Sequence, residues 1–120
     1  MKKKILIVED EVLVGMMLSN NIKKLGFAVQ EVVTSGEEAI ASVKHDPPDA
    51  ILMDISLTGT MDGIDAASII KASLDVPILF FTGYRDKKLL DRAESIGPAA
   101  IIDKLDPVET IKRALDTIFR

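Results

Sequence analysis

The sequence predicts an α/β domain, a five-stranded parallel sheet flanked by five helices. Three observations lead there. Short runs rich in Ile, Val and Leu recur along the 120 residues, helix-like stretches separate them, and an apolar content of 48% with scattered charge suits one core. Strands covered on both faces read as continuous apolar runs, as "ILIV", "AILM" and "ILFF" do.

The elements follow in order. "KILIVE" is the first strand. Val14, Leu18, Ile22 and Leu25 then fall at the three-and-four spacing of one buried helix face, and Gly26 stands where a helix end favours glycine. "AVQEVV" carries polar residues and reads as an edge strand. "SGEEAIASVK" opens a second helix with Ser35 and Glu38 in capping-box spacing. "DAILMD" is the third strand, "GIDAASIIKASL" the third helix and "VPILFFT" the fourth strand. "DKKLLDRAESIG" gives a fourth helix ending at Gly97-Pro98, and "AAIIDK" a fifth strand. "DPVETIKRALDTIF" closes the chain with Asp106, Pro107 at the first helical position, Glu109, and a stripe of Val108, Ile111, Leu115 and Ile118. There is no internal repeat and no linker. Nothing follows the fifth helix, so no output domain is expected on this chain.

Composition excludes several functions. A net charge of −4 and a pI near 4.9 argue against a standing affinity for nucleic acid or anionic membrane. "MKKK" is the only dense basic run, and "ILIV" behind it is far too short for a signal-peptide core or a membrane span. Without cysteine there are no disulfides, thiolate metal sites or cysteine nucleophiles. A cytoplasmic location is expected, with neither membrane nor direct nucleic-acid contact.

Chemistry in open parallel sheets lies outside the carboxyl ends of the strands. Those ends carry Glu9-Asp10, Asp54, Thr82-Gly83 and Lys104. If the strand order is 2-1-3-4-5, one of the common doubly wound orders and not something the residues dictate, strands one and three are neighbours and Glu9, Asp10 and Asp54 converge. Unpartnered carboxylates in one place ask for a cation, and Mg²⁺, a hard ion satisfied by a few carboxylates and water, is the natural candidate. A carboxylate can attack a phosphoryl group, with a metal, a hydroxyl and an ammonium to neutralise the transferred oxygens. Thr82 and Lys104 offer the last two.

"ILIVEDE", "DAILMDISL", "MDGID", "PILFFTGY" and the lysine ending strand five resemble, in order and spacing, the receiver domains of two-component response regulators. The resemblance covers residues 1–120 as one receiver domain with the flavodoxin-like receiver fold. It implies that Asp54 is the phosphoacceptor, that Glu9, Asp10, Asp54 and the backbone carbonyl of Ser56 hold Mg²⁺, and that Thr82 and Lys104 grip the phosphoryl oxygens. The donor would be a phosphohistidine on a sensor histidine kinase or a histidine phosphotransfer protein. A downstream protein would meet the face built from helix four, strand five and helix five. The domain would then be a phosphorylation-controlled interaction module that catalyses only its own phosphorylation and dephosphorylation. Two positions depart from the family pattern. Ile101 stands where receivers carry a switch aromatic, and Leu105 where proline commonly follows the lysine. "PILFFTGY" is similar to the receiver subgroup named for its "FAT-G-Y" stretch, which makes Tyr84 the ring expected to respond.

Competing readings have specific requirements. "DISLTGTMDGID" fits a calcium loop by spacing, from Asp54 at position one to Asp65 at twelve, but such a loop needs flanking helices, and a strand-like run precedes it. Asp62 reads better as the cap of the third helix, with Asp65 in its first turn. A phosphatase of the haloacid-dehalogenase type needs a second Asp where Ser56 stands. A flavin module needs a Ser, Thr and Gly phosphate loop where "EDEV" stands, and no P-loop is present. His45 is expected near the end of helix two, where a cation offsets the dipole, and Lys87, Lys88 and Arg85 at the solvated start of helix four. Met16, Met17 and Met53 are expected in or near the core.

Overall fold

The computed structural model describes residues 1–83 and 86–120. Five strands, β1 (Lys4–Val8), β2 (Ala28–Val33), β3 (Ala50–Asp54), β4 (Ile78–Thr82) and β5 (Ala100–Asp103), alternate with five helices. The helices are α1 (Val12–Lys24), α2 (Gly36–His45), α3 (Gly63–Ser73), α4 (Lys87–Ser95) and α5 (Val108–Ile118). Every ladder is parallel and the order is β2-β1-β3-β4-β5, so "AVQEVV" is an edge strand.

Alternate residues of a strand face opposite sides of a sheet, and here they feed two cores. Leu6, Val8, Ile51, Met53, Ile78 and Phe80 pack with Val43 of α2, Ile70 of α3 and Ala93 of α4. Ile5, Ile7, Leu52, Leu79, Phe81 and Ile102 pack with Leu18 and Ile22 of α1 and Ile111 and Leu115 of α5. The chain steps one way from β1 to β2 and the other way from β2 onward, and right-handed crossovers running in opposite directions place their helices on opposite faces, α1 on one and α2, α3 and α4 on the other. The crevice between β1 and β3 is therefore the switch point.

The helix ends show which sequence signals governed. Gly26 follows α1 at φ +96°, a left-handed conformation that favours glycine and stops the helix. Ser35 caps α2 by accepting from Glu38 N–H at 3.1 Å, while the Glu38 carboxylate reaches past the cap to Thr34 N–H and Oγ1. Asp62 and Asp65 form a full reciprocal capping box on α3. His45 ends α2, exposed, and Lys87 and Lys88 open α4, also exposed. Arg85 lies outside the described residues.

Two expectations are corrected. Pro107 is the N-cap of α5 in extended conformation, one position before the helix, because the Asp106 carboxylate accepts from Asp103 N–H at 3.2 Å and leaves the cap role to the next residue. Met53 is fully buried, but Met16 and Met17 are more than half exposed. The buried side of α1 runs through Gly15, Leu18 and Ile22, and at a hundred degrees per residue positions 16 and 17 turn away from it. Among the described residues no helix is long and apolar enough to cross a membrane.

Candidate functional site

Parallel strands end at one rim, and the rim is polar. Glu9 directly follows β1 and prolongs its ladder, with its N–H donating to Val33 O at 2.9 Å. Asp54 is the last residue of β3 and Thr82 the last of β4. Lys104 follows β5, its N–H donating to Thr82 O at 2.9 Å. Glu9, Asp54 and Thr82 are all buried, and for the two carboxylates that is uncommon unless a partner meets them.

The side chains converge. Glu9, Asp10 and Asp54 each bring a carboxylate oxygen within 4.8 Å of the others. The Lys104 ammonium stands between two of them, 2.9 Å from Glu9 Oε1 and 3.2 Å from Asp54 Oδ2, with its Nζ 5.7 Å from the Phe81 ring centroid. Asp54 Oδ1 accepts from Ser56 N–H at 3.0 Å. Asp10 Oδ2 accepts from Thr58 N–H at 3.1 Å, which draws the loop after β3 over the end of β1. Glu9 Oε2 receives Glu11 N–H at 3.3 Å.

One ammonium faces three carboxylates, and the protonation equilibria register the imbalance. Burial first, then the adjoining Asp54 carboxylate, pushes the Glu9 carboxyl from its ordinary 4.5 up to about 7, against the pull of Lys104. Burial opposes the Lys104 charge, yet Glu9 and Asp54 outweigh it and hold the ammonium above its ordinary pKa. Burial also opposes the Asp10 charge, but hydrogen bonds led by Thr58 N–H hold that carboxyl below its usual range. The donor set is hard oxygen, anionic and undercompensated, which fits a small divalent cation such as Mg²⁺.

The structure thus gathers Glu9, Asp10, Asp54 and Lys104 at the end of the sheet, with Thr82 at the same rim and Ser56 beside Asp54. Tyr84 lies outside the described residues. Ile101 packs partly buried against the core shared with α2, α3 and α4. The calcium-loop spacing is not realised as a helix-flanked loop, since β3 precedes it and Asp62 and Asp65 serve the α3 cap and Arg92. Sequence reasoning missed Thr58, which acts through its backbone and so leaves no residue signature. It also missed Arg92, 27 and 30 residues from its two partners.

A family model described as the response regulator receiver domain matches residues 5–116. The chain belongs to this family. As a receiver it is a signalling module of two-component response regulators. It is 32% identical over 102 residues to the transcriptional regulatory protein PdtaR of Mycobacterium tuberculosis, covering 85% of this chain and 49% of that protein. To the DNA-binding response regulator MtrA of Mycobacterium leprae it is 34% identical over 86 residues, 72% of this chain and 37% of that one. The receiver spans about half the length, or less, of these curated relatives. Among solved structures it superposes with a TM-score of 0.92 on the signal receiver domain of a modulated diguanylate cyclase from Desulfovibrio desulfuricans, at 31% identity, covering 98% of this chain and 94% of that one. The BeF3-activated receiver domain of RstA from Klebsiella pneumoniae gives 0.89 at 26% identity, covering 98% of both chains.

Proposed function

We propose that this receiver, read as one phosphoacceptor unit over residues 1–120, takes a phosphoryl group from a histidine of a sensor kinase or phosphotransfer protein onto Asp54. The observation that carries the reading is the Lys104 ammonium held between the Glu9 and Asp54 carboxylates. In the transfer an Asp54 oxygen bonds to phosphorus as the P–N bond breaks, and the electron pair of that bond stays on the imidazole nitrogen, which takes up a proton. Lys104 and the Thr82 hydroxyl hold the equatorial oxygens. Glu9, Asp10 and Asp54, with the Ser56 carbonyl, are the residues that would hold Mg²⁺. Bound there, it supplies the positive charge that three carboxylates and one ammonium lack.

The surroundings suit a protein donor. Val12, Leu13 and Met16 at the start of α1, and Leu105 beside Lys104, are exposed apolar side chains. The output is a population shift in the face formed by α4, β5 and α5, read by a downstream protein in the cytoplasm.

Intact mass after incubation with acetyl phosphate and Mg²⁺ tests the chemistry. The expected result is one phosphoryl adduct that needs the metal and is absent from Asp54→Asn. An adduct that persists in Asp54→Asn, or none in the wild type, overturns the assignment. The phosphatase reading predicts turnover of a phosphomonoester offered to the protein in a separate assay of phosphate release, and none is expected.

A further inference from the structure

The geometry points to Arg92 on α4 as a positioning residue that ties α4 to the backbone of Asp54 through the first turn of α3. The inference rests on the proposed phosphoacceptor role of Asp54.

The link begins at Gly63. Its N–H donates to Ile55 O at 2.8 Å, and a Cβ at this position would stand 2.0 Å from the Asp54 carbonyl oxygen and 2.9 Å from the carbonyl carbon. No side chain fits between them. The start of α3 and the end of β3 are in backbone contact, and a displacement of one displaces the other.

The next step is the capping box. Asp62 Oδ1 accepts from Asp65 N–H at 2.8 Å, and Asp65 Oδ2 from Asp62 N–H at 3.2 Å. Each carboxylate therefore gives one oxygen to the cap and has one left. Both remaining oxygens go to the same guanidinium: Arg92 Nη1 donates to Asp62 Oδ2 and Nη2 to Asp65 Oδ1, each at 3.1 Å. A planar fork meeting two fixed acceptors sets direction as well as distance, which a lysine cannot do. Exposed ion pairs are generally weak, but here the acceptors are already ordered by the cap and little freedom remains to be lost.

The element at the far end is lightly held. Ala93 is the one fully buried residue of α4, with Leu89 packed partly buried against the core and Ile96 beyond the helix doing the same. Segments with few buried apolar contacts lie at the low end of local stability, so the Arg92 fork carries a large share of the placement of α4. The fork joins α4 to the Asp54 backbone through side-chain hydrogen bonds to the α3 cap. The fork and the end of β3 move together, so a ligand that displaces the end of β3 has to carry the fork with it or break it.

Calorimetric titration of the full chain with beryllofluoride in Mg²⁺ tests the link, using wild type, Arg92→Gln, Arg92→Lys, Asp65→Asn and the Arg92→Gln/Asp65→Asn double variant. Arg92→Gln should bind about two- to fivefold more tightly, and Arg92→Lys should lie between it and wild type. Asp65→Asn, whose amide oxygen still accepts the Asp62 N–H and which leaves the Arg92–Asp62 arm in place, should lie between wild type and Arg92→Gln, and the double variant should gain nothing beyond Arg92→Gln. Hydrogen exchange in α4 should be faster in ligand-free Arg92→Gln. A purely stabilising ion pair would lower Tm and leave the affinity unchanged. Unchanged or weaker affinity in Arg92→Gln overturns the proposal. A wild-type protein that takes up no beryllofluoride overturns the phosphoacceptor reading as well, which separates the two failures.

Discussion

Glu9 is the residue at which folding and function oppose each other most directly. Its carboxyl is raised from 4.5 to about 7, so the folded chain holds a proton there that the unfolded chain has released. Stability from this group is therefore full below about pH 4.5 and declines as pH rises through 7. Glu9→Gln keeps the shape and removes the charge. In metal-free buffer it should raise Tm at pH 8, with the advantage over wild type shrinking towards pH 5 in a series of thermal melts. The same substitution should abolish Mg²⁺ uptake, and a variant no more stable than wild type at pH 8 would contradict this account of the carboxylate cluster. Gly63 shows the other residue-scale constraint, a steric one. Gly63→Ala would force the Asp54 carbonyl aside, and its cost should exceed the roughly 1 kcal/mol gain that alanine normally brings inside a helix. Chemical denaturation measures the balance.

At the scale of elements, legibility follows the number of covered faces. β1, β3 and β4 lie inside the sheet, buried on both sides, and announced themselves as unbroken apolar runs. Periodicity found the buried line of α1, but hydrophobicity alone misplaced Met16 and Met17, because an apolar side chain is as readily left on the surface. Capping signals located the starts of α2 and α3 to the residue. At α5 the pattern was off by one position, since Asp106 had a competing backbone partner that only the turn after β5 reveals. Ser35 is a clean test of a cap: Ser35→Ala should cost about 1 kcal/mol, measured by urea denaturation.

For the molecule as a whole, the carboxylates were visible in the sequence but their meeting was not. Glu9 and Asp54 come together only because β1 neighbours β3, a fact of strand order that no local pattern encodes. Metal binding should be felt globally for the same reason, since it relieves repulsion between segments distant in sequence. Mg²⁺ at a hundredfold excess over its Kd should stabilise the fold by about 2.7 kcal/mol. That corresponds to a rise in Tm on the order of 10 °C, reversed by EDTA and absent from Glu9→Gln.

The division of the apolar interior into two cores also bears on how variation accumulates in such a chain. Leu52 and Met53 are adjacent in sequence yet face different interiors. Substitutions on opposite faces, such as Leu18→Ala in α1 and Ile70→Ala in α3, should each cost about 2–5 kcal/mol and add within about 0.5 kcal/mol. The side bearing α1 and α5 can thus drift through one set of compensating changes while the side bearing α2, α3 and α4 drifts through another, and neither history constrains the other except where both meet the polar rim.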